Sequence, residues 1–151
     1  MSMQFDPDIY AKRLKTETDL LQSILQRLKQ KMQRDLLVQN TTNDLRHFLQ
    51  VDRVVLYYFY TQWQGQVTFE SLSDRQFSIL GSTGPDRCFN DEYAQLYLAG
   101  RVRAIADIET ESIEPCHRDF LRDLQVRANL AIPILTSTGL WGLLVAHHCQ
   151  N

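Results

Sequence analysis

The sequence predicts an α+β fold, an antiparallel β-sheet with helices packed on it and a long helix at the N-terminal end. Three observations predict it. Up to about Gln50 the apolar residues recur at helical spacing. From Asp52 the period changes, and Val-, Leu-, Tyr- and Phe-rich runs arrive in hairpins. Short helical patterns are inserted between those hairpins, an order that gives α+β rather than a parallel sheet.

The helical part comes first. Leu14, Leu21 and Leu28 recur at seven, and Leu20, Ile24, Leu28, Met32 and Leu36 recur at four. Between Asp8 and Gln50 there is no glycine or proline to break the pattern. The spacing predicts one helix to about Gln30 and a second to Leu49, or a single continuous one. A continuous helix would measure about 60 Å at 1.5 Å per residue, longer than a compact domain of this size. Its apolar stripe therefore serves either a partner copy or an upstream domain, or packs on the chain's own sheet. Residues 1–30 are read as a helical extension and 31–151 as the folded domain.

Arg53 to Tyr60 and Gln66 to Ser73 form the first predicted hairpin, turning at Trp63-Gln64-Gly65. A loop follows Gly84-Pro85, then a short helix from Asn90 to Ala99, stopped by Gly100. Arg101 to Ile108 is a third strand. Pro115 to Leu124 is a helix with proline well placed at its start. Arg127 to Leu135 and Leu140 to His148 make a second hairpin across Thr136-Ser137-Thr138-Gly139. The long connection between the second and third strands lies where a ligand would sit.

Composition excludes several functions. Apolar residues make up 44% and charged ones 23%, an ordinary globular mix. With 16 basic and 18 acidic residues the formal charge is -2, so nothing calls for nucleic acid or an anionic membrane. Apolar runs such as Leu140 to Ala146 fall far short of the roughly 20 residues of a membrane span. The first residues alternate polar and apolar, so no signal peptide is expected. Three cysteines without CxxC spacing suit a reducing cytoplasm and offer no zinc set. If they matter, they matter as thiols.

Several stretches together resemble the bilin-binding GAF domains of cyanobacteriochromes, distant relatives of phytochromes. They are Val51-Asp52-Arg53-Val54, Gly100 to Ile108, Cys116-His117, Val126-Arg127-Ala128-Asn129-Leu130, and Leu140 to Cys149. The likeness runs from about Leu36 to Gln150. Asp86-Arg87-Cys88-Phe89 further resembles the Asp-x-Cys-Phe motif of the two-cysteine blue/green subfamily.

The resemblance implies a GAF fold and a photoreceptor that is not an enzyme, apart from self-catalysed pigment attachment and isomerisation. Its cofactor is a linear tetrapyrrole, phycocyanobilin or phycoviolobilin, held covalently. Cys116 would anchor the pigment through a thioether, helped by its place in the first turn of a helix. Cys88 would add reversibly to the central methine bridge, cutting the conjugation and moving absorption to the blue or violet; isomerisation of the D-ring double bond would release it and restore green absorption. Asp86 would sit near the pyrrole N–H groups and assist conversion to phycoviolobilin; read alone it is a turn former.

His117 would stack near the pyrrole nitrogens, and His147 would hydrogen-bond the D-ring carbonyl, with His148 on the opposite face of the strand. Arg101, then Arg103, would pair the propionates. Tyr58 stands where many relatives carry arginine, which removes one such contact. Phe89, Tyr93 and Tyr97 would pack on the rings, the two tyrosines being equally good core residues by spacing. Trp63 is accounted for by the turn, and Cys149 is structural or idle.

Relatives continue past the last strand into a further helix, so the N-terminal helix or a dimer partner is expected to cover the sheet face here. The resemblance also implies signalling domains upstream or downstream and a homodimer through the N-terminal helix. Two rivals use the same residues: a GAF reductase of methionine sulfoxide working through Cys88 and Cys116, and a GAF module binding a small effector.

Overall fold

The computed structural model describes residues 6–84 and 91–150. One continuous helix, α1 (Pro7–Leu49), precedes the sheet. The Asp6 carboxylate caps it, accepting from the Asp8 N–H at 2.9 Å, and Pro7 occupies the first helical position, where its missing N–H costs nothing. The chain divides into two compact units, one ending at Leu37 and the other beginning at Val38.

In the first unit the apolar side chains of α1 are open to solvent, Leu14, Leu21, Leu25, Leu28 and Met32 being 45% to 63% exposed. In the second unit the end of α1 is bound to the sheet. Gln39 donates to the Glu70 carbonyl at 3.0 Å, Arg46 donates to the Ser71 hydroxyl at 3.0 Å, and Thr42 is buried. The last turns of α1 are thus hydrogen-bonded to Glu70 and Ser71.

Strands β1 (Arg53–Thr61), β2 (Gln64–Leu72), β3 (Arg103–Ile105), β4 (Val126–Thr136) and β5 (Gly139–Cys149) form an antiparallel sheet ordered β2-β1-β5-β4-β3. Strand β1, interior to the sheet, is buried from Arg53 to Leu56, as a strand covered on both faces must be. Helix α2 (Asp91–Leu98) lies between β2 and β3 in sequence, and α3 (Pro115–Asp123) between β3 and β4.

Three boundaries differ from expectation. The first hairpin turns at Gln62-Trp63, with Thr61 paired to Gln64 and Trp63 at φ 61°, so β2 begins two residues early. Strand β3 is only three residues long because its expected ends are used otherwise. Gly100, at φ 88°, and Arg101 close α2, their N–H groups donating to the Tyr97 and Leu96 carbonyls in a Schellman arrangement. Beyond Ile105, Asp107 opens a turn by accepting from the Glu109 N–H at 2.9 Å. A single 3₁₀ turn, Arg75–Phe77, was not expected; Asp74 caps it.

One sheet face carries Val55, Val67, Ala131, Leu143 and Val145 against Tyr97 of α2. A second cluster, Ile105, Ile108, Leu121 and Val126, seats α3. Tyr58 belongs to the opposite face, its ring 5.0 Å from that of Trp141. At the core's polar centre lies Arg53, wholly buried, donating to the Phe77 carbonyl (2.6 Å), the Leu124 carbonyl (2.8 Å) and His147 Nδ1 (3.0 Å). Burial, then the Arg53 charge, pushes His147 down to about 3.

Two outcomes follow. A Cβ at Gly142 would collide with the Tyr57 carbonyl oxygen; Gly142→Ala should cost about 2 kcal/mol, read as a lower urea midpoint at unchanged slope. For His147, the unfolded chain binds a proton below about pH 6.5 that the folded chain refuses until about pH 3. Stability should therefore fall with pH across that window, by about 2 kcal/mol at pH 5. Urea titrations of wild type and His147→Gln check it: the variant should lose that part of the slope.

Candidate functional site

A cavity of about 800 Å³ opens between the sheet and helices α2 and α3, a size that buries a drug-sized ligand. Alternation along the strands builds its floor. Val55, Tyr57 and Phe59 of β1 and Leu143, Val145 and His147 of β5 all point into it, while residues between them turn away. Exposed His148 lies 3.8 Å from the Asp52 carboxylate, as the alternation requires.

The fold brings six of the sequence-predicted site residues to this one cavity: Cys116, His117, Arg101, Arg103, His147 and Tyr97. Cys116 is the second residue of α3, directly after Pro115, at a helix start whose preceding Glu114 makes no side-chain cap. The first N–H groups of the helix thus receive no side-chain cap from that residue. Cys116 is disulfide-bonded in this structure, so any chemistry of its thiol requires prior reduction. His117 is half-buried, and burial with the Arg103 charge lowers its pKa, which favours a neutral ring.

Tyr97 is 7% exposed and lines the cavity while belonging to the core; burial raises its phenol pKa. Tyr93 lines the same wall. Asp86, Cys88 and Phe89 lie outside the described residues, but Gly84 and Glu92, on either side of that segment, both line the cavity. Gly84 donates to the Tyr57 hydroxyl at 2.8 Å, and a Cβ there would collide with that oxygen. Trp63 does more than turn a hairpin: its indole N–H donates to Asp91 at 2.6 Å and its ring lines the cavity. Cys149 is half-buried, its thiol pKa raised by burial and its N–H donated to Asp52.

Sequence reasoning missed three groups. Asn129, across from His147 on β4, is 7% exposed and lines the cavity with no side-chain hydrogen bond among the described residues. Arg53 passed as one letter of a motif. The third is an arginine strap that holds the loop ahead of Cys116. Arg118 donates to the Ile108 and Glu111 carbonyls, each at 2.8 Å. Arg122 grips Glu109 and Arg127 grips Asp107, both at 2.5 Å. The Glu109 N–H and Arg127 hold the Asp107 carboxyl below its usual range, and Arg122 does the same for Glu109. Only alternation along β4 could have marked Asn129; the arginines read as ordinary surface charge.

The arrangement suits a largely apolar ligand with acidic appendages. Apolar walls take its body, Arg101 and Arg103 offer cations, and Asn129 and the free edge of His147 offer buried hydrogen bonds. No cluster of metal-binding side chains occurs among the described residues, and no helix among them is long and apolar enough to cross a membrane.

The chain is 54% identical over 128 residues to an uncharacterised protein of Picosynechococcus, covering 85% of this chain and 79% of that one. It is 40% identical to a putative methyl-accepting chemotaxis protein of Synechocystis and 30% identical to the circadian input-output histidine kinase CikA of the same genus. The matches cover 72% and 97% of this chain but only 11% and 22% of those receptors. Among solved structures it resembles the blue-light absorbing form of the Thermosynechococcus elongatus PixJ GAF domain, with TM-score 0.72 and 32% identity over 80% of this chain and 71% of that one. It also resembles the phycocyanobilin-bound GAF domain of a cyanobacterial phytochrome, with TM-score 0.69 and 28% identity over 86% and 80%. The GAF domain profile matches residues 33–151, and the chain belongs to the GAF domain family.

Proposed function

We propose that this chain is the sensory domain of a cyanobacteriochrome-type photoreceptor that holds a linear tetrapyrrole on Cys116. The observation that carries the reading is the single cavity on which Cys116, His117, Arg101, Arg103 and His147 converge, in a fold similar to phycocyanobilin-bound GAF domains. The groups fit such a pigment: apolar walls for the rings, cations for two propionates, and buried donors for polar ring edges. Cys116 would hold the pigment through a thioether to its A-ring ethylidene carbon, the exocyclic double bond becoming single and solvent supplying the proton to the neighbouring ring carbon. The bound pigment supplies light absorption and the D-ring double bond whose isomerisation begins the response.

In this reading Cys88 makes the second, reversible thioether of a blue/green photocycle, with Asp86 and Phe89 beside it. The segment carrying them is joined on both sides to cavity-lining residues, which supports that reach. Phycocyanobilin is the pigment taken up, and phycoviolobilin its isomer formed in place. The chain reads light and leaves output to separate signalling domains, as its likeness to a chemotaxis protein and a histidine kinase supports.

A second copy is the partner of α1. Ala11, Leu14, Thr18, Leu21, Leu25, Leu28 and Met32 follow one heptad seam, and its larger members are the exposed side chains described above. In parallel pairing no flanking position sets like charges together: Glu17 meets Gln22, and Ile24 meets Lys29.

Two measurements test these readings. Reduced protein mixed with phycocyanobilin should give a covalent adduct, seen as zinc-induced fluorescence on a denaturing gel. Cys116→Ala should abolish the adduct; Cys88→Ala should keep it and lose the blue or violet band. A colourless protein with sulfoxide reductase turnover would reverse the reading. Sedimentation equilibrium should find a dimer, lost in a Leu21→Glu/Leu28→Glu double variant and kept in Ser23→Glu/Gln30→Glu on the outer face; a monomeric wild type at high micromolar concentration refutes the pairing.

A further inference from the structure

We infer that Arg53 is a positioning residue that fixes the tautomer of His147, so that the ring presents an N–H, and never a bare nitrogen, to the cavity. The argument needs only donor and acceptor chemistry. A guanidinium has five N–H donors and no acceptor. Arg53 Nε lies 3.0 Å from His147 Nδ1, so Nδ1 must accept and carries no proton. The proton of a neutral imidazole then sits on Nε2.

The two residues are direct cross-strand partners on β1 and β5, which fixes their approach. Arg53 cannot swing away, because its other nitrogens are held by the Phe77 and Leu124 carbonyls at 2.6 and 2.8 Å. His147 is 3% exposed, lines the cavity, and has no other side-chain hydrogen bond among the described residues. Its Nε2–H is therefore left for a ligand. A doubly protonated ring would set a proton on Nδ1 against the Arg53 cation, in a site that already disfavours charge.

The consequence is selective. An N–H in that place rewards a carbonyl or other acceptor and leaves a ligand donor unmatched, which buried sites penalise. Arg53 thus decides the polarity of a contact made one residue away. This rests on the proposed pigment site where it predicts that the acceptor is a lactam carbonyl; the tautomer itself does not.

Other ionisable groups near the pair come from several elements: Asp52 just ahead of β1, Glu70 on β2, Arg103 on β3, His117 on α3, and Cys149 two residues after His147 on β5. None of these side chains is hydrogen-bonded to His147.

The experiment uses the full chain labelled with ¹⁵N-histidine, with the His147 signals assigned by their loss in His147→Gln. Long-range ¹H–¹⁵N correlation without pigment should find Nδ1 unprotonated and Nε2 protonated, unchanged from pH 8 to pH 5. A proton on Nδ1, or a mixture of tautomers, overturns the inference. Arg53→Met should release the constraint: both tautomers appear, and the ring titrates within that range. With phycocyanobilin attached, the variant's visible band should then move with pH where the wild-type band does not. A variant that keeps Nε2–H alone, with a pH-independent band, also overturns it. If Arg53→Met does not fold, the wild-type spectrum still decides. If the wild type binds no pigment but shows the single tautomer, the pigment reading fails and this one stands.

Discussion

The constraint on which this structure depends is the satisfaction of one buried cation. Arg53 sits at the start of β1, an interior strand, with no exposed surface, and leaving such a charge unpaired would cost several kcal/mol. It is met by three acceptors from distant parts of the chain: the end of a 3₁₀ turn, the end of α3, and an imidazole on β5. The side chain that solves this packing problem therefore also ties together the elements surrounding the cavity. Because one acceptor is His147, the solution reaches the cavity floor as a defined hydrogen-bonding edge.

A division of labour between rigid and strapped parts follows. The sheet supplies the floor, where alternation sends one set of side chains inward, Asn129 and His147 among them. The wall carrying Cys116 hangs instead on a loop with no strand or helix of its own from Ala106 to Glu114. Three arginines compensate by gripping that loop's carbonyls and carboxylates. Such half-exposed pairs contribute little stability individually. Their effect is geometric, holding the start of α3 and its cysteine over the cavity.

The fold was readable in outline because hydrophobic period and turn residues are local properties: both hairpins, the two short helices and the helical run up to Leu49 follow from them, though not that this run is one helix. Errors fell where local pattern competes with capping. Arg101 and Val102 look like strand, yet the chain there is spent closing α2. Resemblance carried part of the site as well. Cys116, His117, Arg101, Arg103 and His147 could be named because the stretches that carry them resemble those of bilin-binding GAF domains. Arg53 and Asn129 could not, since a basic residue or an amide in a strand is ordinary until its burial is known.

By itself, the sequence determined the architecture and the apolar seam of α1 through residue type and short-range period, and named the groups able to bond or pair with a ligand through its resemblance to bilin-binding GAF domains. Only the tertiary structure decided that six of those groups share one cavity, that Arg53 is buried, and which nitrogen of His147 is left to face a ligand. Those are outcomes of strands meeting through residues 94 positions apart in the chain, and no local rule encodes a hydrogen bond between partners so far apart.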